Sequence, residues 1–214
     1  ERLISDEGYG MGDCAVMYRT NAQSRALEEA FVRYGFPYKL VGAFRFYERR
    51  EIKDVISYLR AISNPHDDVS MSRIINVPPR NIGQRTLNEI SSWAGANSIS
   101  LYSALNRIYE GEAINLSTRS VQSLNSFTQL LDGLIAEGEE SNLVELFDAT
   151  LERTGYRKFI LDGSESEERW SNILELRGMA GEHADLETPD ALSEMLERAA
   201  LVSSVDNLDG ENGA

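Results

Sequence analysis

The sequence predicts a mainly α-helical protein: an all-helical domain preceded by a small strand–helix–strand stub of α/β character. Three observations carry that expectation. Two short apolar runs flank one amphipathic segment in the first 42 residues. From about Arg49 onward, apolar residues recur at helical spacing in one segment after another. Between those segments stand Asn-Pro, Pro-Pro and isolated Gly breaks of the kind that end helices.

Asp13 to Thr20 is a short apolar run ending in polar residues, which predicts a buried strand presenting Tyr18 and Arg19 at its C-terminal end. A helix is expected from about Ser24 to Tyr34, with Leu27, Ala30, Phe31 and Tyr34 on one face. Gly35 would stop it, and Pro37 lies just beyond. Tyr38 to Gly42 predicts a second short strand. Such a unit is too small to close a sheet, so its edges need partners that this chain does not contain.

The helical part begins with the stripe Ile52, Val55, Ile56, Leu59 and Ile62, ended by Asn64-Pro65. Met71, Ile74 and Ile75 mark a short helix that stops at Pro78-Pro79, and another runs from near Arg85 to Trp93. Leu101, Ala104, Leu105 and Ile108 define the next, and Val121, Leu124, Phe127, Leu131 and Ile135 a long one. Leu143, Leu146, Phe147 and Leu151 precede a break at Gly155, after which Trp170, Ile173, Leu174 and Arg177 begin a further helix. The last is expected to open with Thr188 as N-cap and Pro189 at the first helical position, burying Leu192, Met195, Leu196 and Ala199. From Val205 the periodicity is lost. The expected organisation is therefore a stub over residues 1–45, a helical domain over 46–204 and an acidic linker over 205–214.

At 214 residues, 42% hydrophobic and 26% charged, the composition is that of an ordinary globular protein. No apolar run approaches the roughly 18 residues of a membrane helix. The single cysteine, Cys14, excludes an internal disulfide framework and fits a reducing, cytoplasmic setting. One Cys with two distant histidines, His66 and His183, makes no zinc constellation. The net charge of −14 argues against nucleic acid at first reading, but it is unevenly spread. Residues 1–107 hold 14 Lys and Arg against 12 Asp and Glu, whereas the remainder holds 7 against 23. Contacts with phosphates are expected from the first half.

Four segments can carry chemistry. In Tyr18 to Arg25, a strand end meets a helix start, where an aromatic can stack on a base and a guanidinium can pair with a phosphate. A plain surface loop is the alternative. Gly42 to Asp54 interleaves aromatic and basic residues as single-strand binding surfaces do. It can equally be a first turn whose Glu48, Glu51 and Asp54 pair with neighbouring cations. Pro78 to Leu87 combines two prolines, Gly83 and a helix start flanked by Arg80 and Arg85. That arrangement can grip a phosphate or be an ordinary interhelical turn. Glu165, Glu167, Glu168 and Glu182 read as a solvated face, since no nucleophile, base or metal ligand accompanies them. The sequence contains no G-x-x-x-x-G-K-[ST], G-x-S-x-G or H-E-x-x-H.

Taken together, these segments resemble superfamily 1 DNA helicases of the UvrD/PcrA/Rep group. Ala15 to Arg25 resembles helicase motif IV, and Phe46 to Asp54 with Tyr58-Leu59-Arg60 resembles the stretch that follows it. Arg73 to Gly83 matches the next signature in order and approximate spacing. Beyond about residue 90 the likeness is only to the family's variable helical region.

The resemblance implies the opening of subdomain 2A followed by the helical 2B insertion, with motifs I and II before residue 1 and motifs V and VI after the end. It implies that Tyr18 stacks on adenine and that Arg19 reaches the γ-phosphate like an arginine finger. The family's Gly-Ile-Gly turn, which contacts duplex backbone, reads Asn81-Ile82-Gly83 here. Asn tolerates the left-handed backbone better than most residues. Arg80, Asn81, Ile82, Gly83, Arg85 and Thr86 are thus the expected DNA contacts. ATP and Mg2+ are expected in the parent protein and no cofactor in the segment alone, which should be inactive without its phosphate-binding loop.

Expected partners are a duplex/single-strand DNA junction and the remaining helicase subdomains, with no membrane. The alternative reading is a regulatory module whose acidic second half docks repair proteins or the motor's basic surfaces. A helicase–nuclease relative is a third.

Overall fold

The computed structural model describes residues 8–19, 23–40, 46–183 and 185–208, with side chains placed through Leu201. Among the described residues there are ten α-helices. These are α1 (Ser24–Arg33), α2 (Arg50–Ser63), α3 (Asp68–Ile74), α4 (Gln84–Ala96) and α5 (Leu101–Tyr109), then α6 (Thr118–Glu140), α7 (Leu143–Arg153), α8 (Tyr156–Leu161), α9 (Ser166–Gly181) and α10 (Thr188–Leu208). Short 3-10 turns lie at Met11–Asp13 and Phe46–Glu48.

Local chemistry sets most of these boundaries. The Asp67 carboxylate accepts from the N–H groups of Val69 and Ser70, both at 3.1 Å, and so starts α3. Ser100 and Ser117 accept from Ser103 and Ser120 in the same way at the heads of α5 and α6. Asn142 and Glu145 form a reciprocal capping box at α7. Gly35 and Gly155, both with positive φ, end α1 and α7.

The core gathers around α2, which packs against α3, α6, α7, α9 and α10. Its stripe of Ile52, Val55, Ile56, Leu59 and Ile62 is buried as the periodicity predicts. Leu124, Phe127, Leu131 and Leu134 of α6, Leu146 and Phe147 of α7, and Ile173 and Leu176 of α9 complete the same cluster. No helix among the described residues is long and apolar enough to cross a membrane.

Several expectations are corrected. The described residues contain no β-strand: residues 14–18 and 36–40 have no regular structure, and the predicted stretches 20–22 and 41–45 lie outside the described residues. A strand needs hydrogen-bonded neighbours, and the described residues supply none there. α1 turns a polar face inward, burying Ser24, Glu28 and Glu29 while Tyr34 is 66% exposed. α8 has no counterpart among the predicted helices, because six residues are too few to establish a period. The Thr188 hydroxyl donates to the Ser141 carbonyl at the end of α6 instead of capping its own helix. α10 continues to Leu208, past the expected linker start at Val205; residues 209–214 lie outside the described residues.

Three buried tyrosines bind the helices through their hydroxyls. Tyr47 donates to Glu29 at 3.0 Å, Tyr58 to the Val77 carbonyl at 2.5 Å, and Tyr156 to Asp54 at 3.0 Å. Burial pushes the Tyr58 phenol up to about 12. Burial, reinforced by the charges of Glu29 and Asp54, also raises Tyr47 and Tyr156.

The folded state therefore keeps protons that the unfolded chain releases above pH ~10, so stability falls as pH rises through that window. Tyr58 alone should account for roughly 2–3 kcal/mol lost by pH ~12. Urea midpoints between pH ~9 and ~11.5 check this. Folded protein whose nine tyrosines all ionise together near pH ~10 would contradict it.

Candidate functional site

The turn from Pro78 to Thr86 is built from inside. The Asn76 side-chain oxygen accepts from the N–H groups of Arg80 at 2.7 Å and Ile82 at 3.2 Å, drawing the loop into a tight bend. Ile82 is 2% exposed and pins the bend in the core. Asn81 between them has φ 61°, the left-handed backbone that Asn accepts at low cost. Gly83 precedes α4, and a Cβ placed there would meet nothing within 4 Å, so the backbone is open to a close approach.

Arg80 and Arg85 have opposite fates. The Arg80 guanidinium points inward: Nη1 donates to the Ile74 carbonyl at 3.1 Å and the Pro78 carbonyl at 3.2 Å. Its Nη2 donates to the Tyr58 hydroxyl at 2.7 Å and the Thr154 carbonyl at 3.2 Å. It also lies over the rings of Phe127 (5.5 Å) and Tyr58 (5.9 Å), within cation–π range of both. Arg80 thus ties the turn to α2, α6 and the end of α7, and its terminal nitrogens are spent inside the protein. This corrects the expectation that Arg80 reaches phosphate. Ile82, expected at the same surface, is likewise a core residue.

What remains outside is Asn81, Gly83, Gln84 and Arg85, with Thr86 half-exposed. Arg85 makes no ion pair among the described residues. Nor do the N–H groups of Gln84, Arg85 and Thr86 find an acceptor among them, since the first bond of α4 runs from Leu87 to Gly83. A cation therefore stands beside three free donors at the positive end of a 13-residue helix, where the helix dipole favours an anion.

The second locus is the segment before α1. Arg19 is exposed, its N–H donating to Gln23 Oε1 at 3.0 Å, and Tyr18 is half-buried beside it. Thr20, Asn21 and Ala22 of the same signature lie outside the described residues.

Of the aromatic–basic stretch, residues 42–45 lie outside the described residues, and both aromatics of the described part, Phe46 and Tyr47, point into the interior. Phe46, Tyr47, Arg49, Glu51 and Asp54 are all at most 6% exposed, whereas Glu48, Arg50 and Lys53 face solvent. Glu28 accepts from the Phe46 N–H. Glu29 accepts from Arg25 at 3.1 Å and from Arg198 at 2.5 Å, which joins α1 to α10. Glu182, expected on a solvated face, belongs to this network through Arg198 at 2.7 Å and Arg25 at 3.5 Å, whereas Glu165, Glu167 and Glu168 are exposed.

The sequence reasoning missed Glu28, Glu29, Arg49, Asn172 and Arg198. No local signal pointed to them, since adjacent acids on a short helix ordinarily face water. Among the described residues no three His, Cys, Asp or Glu side chains gather as a metal ion would require.

Comparison with known proteins adds to this geometry. Residues 2–211 match the family described as the UvrD-like helicase C-terminal domain. The chain is 40% identical over 206 residues to the ATP-dependent DNA helicase PcrA of Staphylococcus aureus (strain Mu50), covering 94% of the chain and 28% of that protein. It is 39% identical over 211 residues to the PcrA helicase of Staphylococcus epidermidis, covering 96% and 28%. The chain thus spans little more than a quarter of the length of these relatives.

The two arginines of the turn should separate in a stability measurement. Arg80→Ala is expected to lower the unfolding free energy by roughly 2–4 kcal/mol, since four carbonyl or hydroxyl partners lose their donor. Arg85→Ala should stay within about 0.5 kcal/mol of the parent. Urea denaturation followed by far-UV circular dichroism decides, and equal midpoints for the two variants would refute the inward placement of Arg80.

Proposed function

Because the chain belongs to the UvrD-like helicase C-terminal domain family, we propose that it is the segment of an ATP-driven DNA helicase that grips duplex DNA ahead of the fork. In this reading residues 1–45 open subdomain 2A and carry motif IV, and residues 46–204 form the 2B domain. The parent acts on DNA in the cytoplasm, in repair or replication. Tyr18 stacks on the adenine of ATP and Arg19 meets the γ-phosphate, where a guanidinium offsets charge that develops during phosphoryl transfer. Mg2+ is held, in this reading, by other parts of the parent. As 1A closes on 2A, the motor steps 3′ to 5′ along one strand while 2B holds the duplex.

One observation carries the DNA-gripping role. The exposed head of α4 offers three unbonded N–H groups, the open backbone of Gly83 and the unpaired cation Arg85 on a turn held rigid from within. Backbone donors and a single guanidinium position phosphate without reading bases, as a helicase requires. Arg80, Asn81 and Ile82 shape the turn, and Gly83, Arg85 and Thr86 make the contact.

The test is binding of a fluorescent duplex carrying a 3′ single-stranded tail, at low and moderate salt. The chain should bind weakly and salt-sensitively, and Arg85→Ala should reduce the slope against log salt by about one unit. Gly83→Val, which the backbone geometry tolerates, should also weaken binding by covering the free N–H groups. No binding even at low salt, or binding indifferent to both substitutions, would sink the reading in favour of a protein-docking module that uses the acidic second half.

A further inference from the structure

We propose that Arg49 is a positioning residue for Arg19, holding the nucleotide-contacting segment in register with helix α9. The inference rests on the reading of Tyr18 and Arg19 given above. Arg49 is 6% exposed and sits between three elements. Its Nη1 donates to Asn172 Oδ1 on α9 at 2.7 Å, and its Nη2 donates to the Ser24 hydroxyl, the first residue of α1, at 3.3 Å. Asn172 is fixed in turn, its Nδ2 donating to Glu51 Oε1 of α2 at 2.7 Å. On the other side, Gln23 immediately before Ser24 accepts the Arg19 N–H at 3.0 Å.

A continuous path therefore runs from the Arg19 backbone through Gln23 and Ser24 to Arg49 and on to α9. Tyr18 lies close enough to interact electrostatically with the Arg49 guanidinium, as do Glu28, Glu51 and Glu168 from α1, α2 and α9. The segment at the Arg19 end of this path carries the two nucleotide contacts of the proposed reading. Glu28, Glu51 and Glu168 offset the charge of this buried guanidinium. The bonds to neutral Ser24 and Asn172 add a geometric tie between α1 and α9.

The test uses the intact helicase, measuring steady-state ATP hydrolysis at saturating single-stranded DNA for Arg19→Ala, Arg49→Met, Arg49→Lys, Gln23→Ala and the Arg19→Ala/Arg49→Met double variant. Thermal melting is recorded for each. Arg49→Met should lower kcat by ~10–100-fold with KM for ATP little changed, the signature of a displaced catalytic contact. Arg49→Lys should recover part of that loss. Gln23→Ala, at an exposed position that cannot compromise the core, should lower kcat in the same direction by less. The double variant should be no slower than Arg19→Ala alone, because Arg49 acts through Arg19.

A folded Arg49→Met that turns over like wild type, or losses that multiply in the double variant, would overturn the positioning role and leave the nucleotide reading intact. Should Arg49→Met melt at the assay temperature, an unchanged kcat for Gln23→Ala overturns the role instead. An Arg19→Ala variant with undiminished kcat would fail the nucleotide reading itself.

Discussion

A helix buried on nearly every side must still accommodate its charges, and that constraint on α2 organises the rest of the molecule. Ten of its fourteen residues are buried, Glu51 and Asp54 among them. An isolated carboxylate cannot survive in such a place unless it is paired and hydrogen-bonded. Asp54 is met by Arg73 at 2.8 Å and by the Tyr156 hydroxyl, and Glu51 by Asn172. Each of these partners comes from a different helix. Satisfying two acids on one strut thereby fixes α3, α8 and α9 around it, and the apolar stripe on the same helix supplies the packing that makes those positions dry.

The turn at 80–83 is an extension of the same construction. Tyr58, one turn beyond Asp54, donates a hydrogen bond to the Val77 carbonyl and accepts one from Arg80. The exposed donors of α4 are therefore anchored to α2 through the side chains of Tyr58 and Arg80, and the outer surface inherits the rigidity of the core. Arg80 and Arg85 differ by five positions and a full change of environment: one closes the scaffold, and the other is left for solvent or ligand.

Much of this was legible in the sequence. Helical period, the glycines at 35 and 155, and the tolerance of Asn81 for a left-handed backbone all follow from local chemistry, and the period marks every helix except α8. Two things were not legible. A charged residue on a short helix ordinarily faces water, so nothing local said that Glu28 and Glu29 are buried; their burial depends on partners such as Arg198, 169 positions away from Glu29. Nor could spacing say which arginine of the turn points inward, since that is decided by Tyr58, Phe127 and Thr154 from three distant segments. The predicted strands failed for a related reason: a strand is a property of its neighbours, and a single segment cannot supply them.

The free N–H groups at the head of α4 differ in kind from a patch of lysines. They have no rotamers to lose, so contact with a phosphate freezes almost nothing that the helix had not already frozen. In the proposed duplex-holding role they would also be blind to position, because successive phosphates of a duplex present the same oxygens. A grip of this sort can be released and remade one base pair further on with the same free energy each time, so a duplex can advance past it without falling into a preferred register.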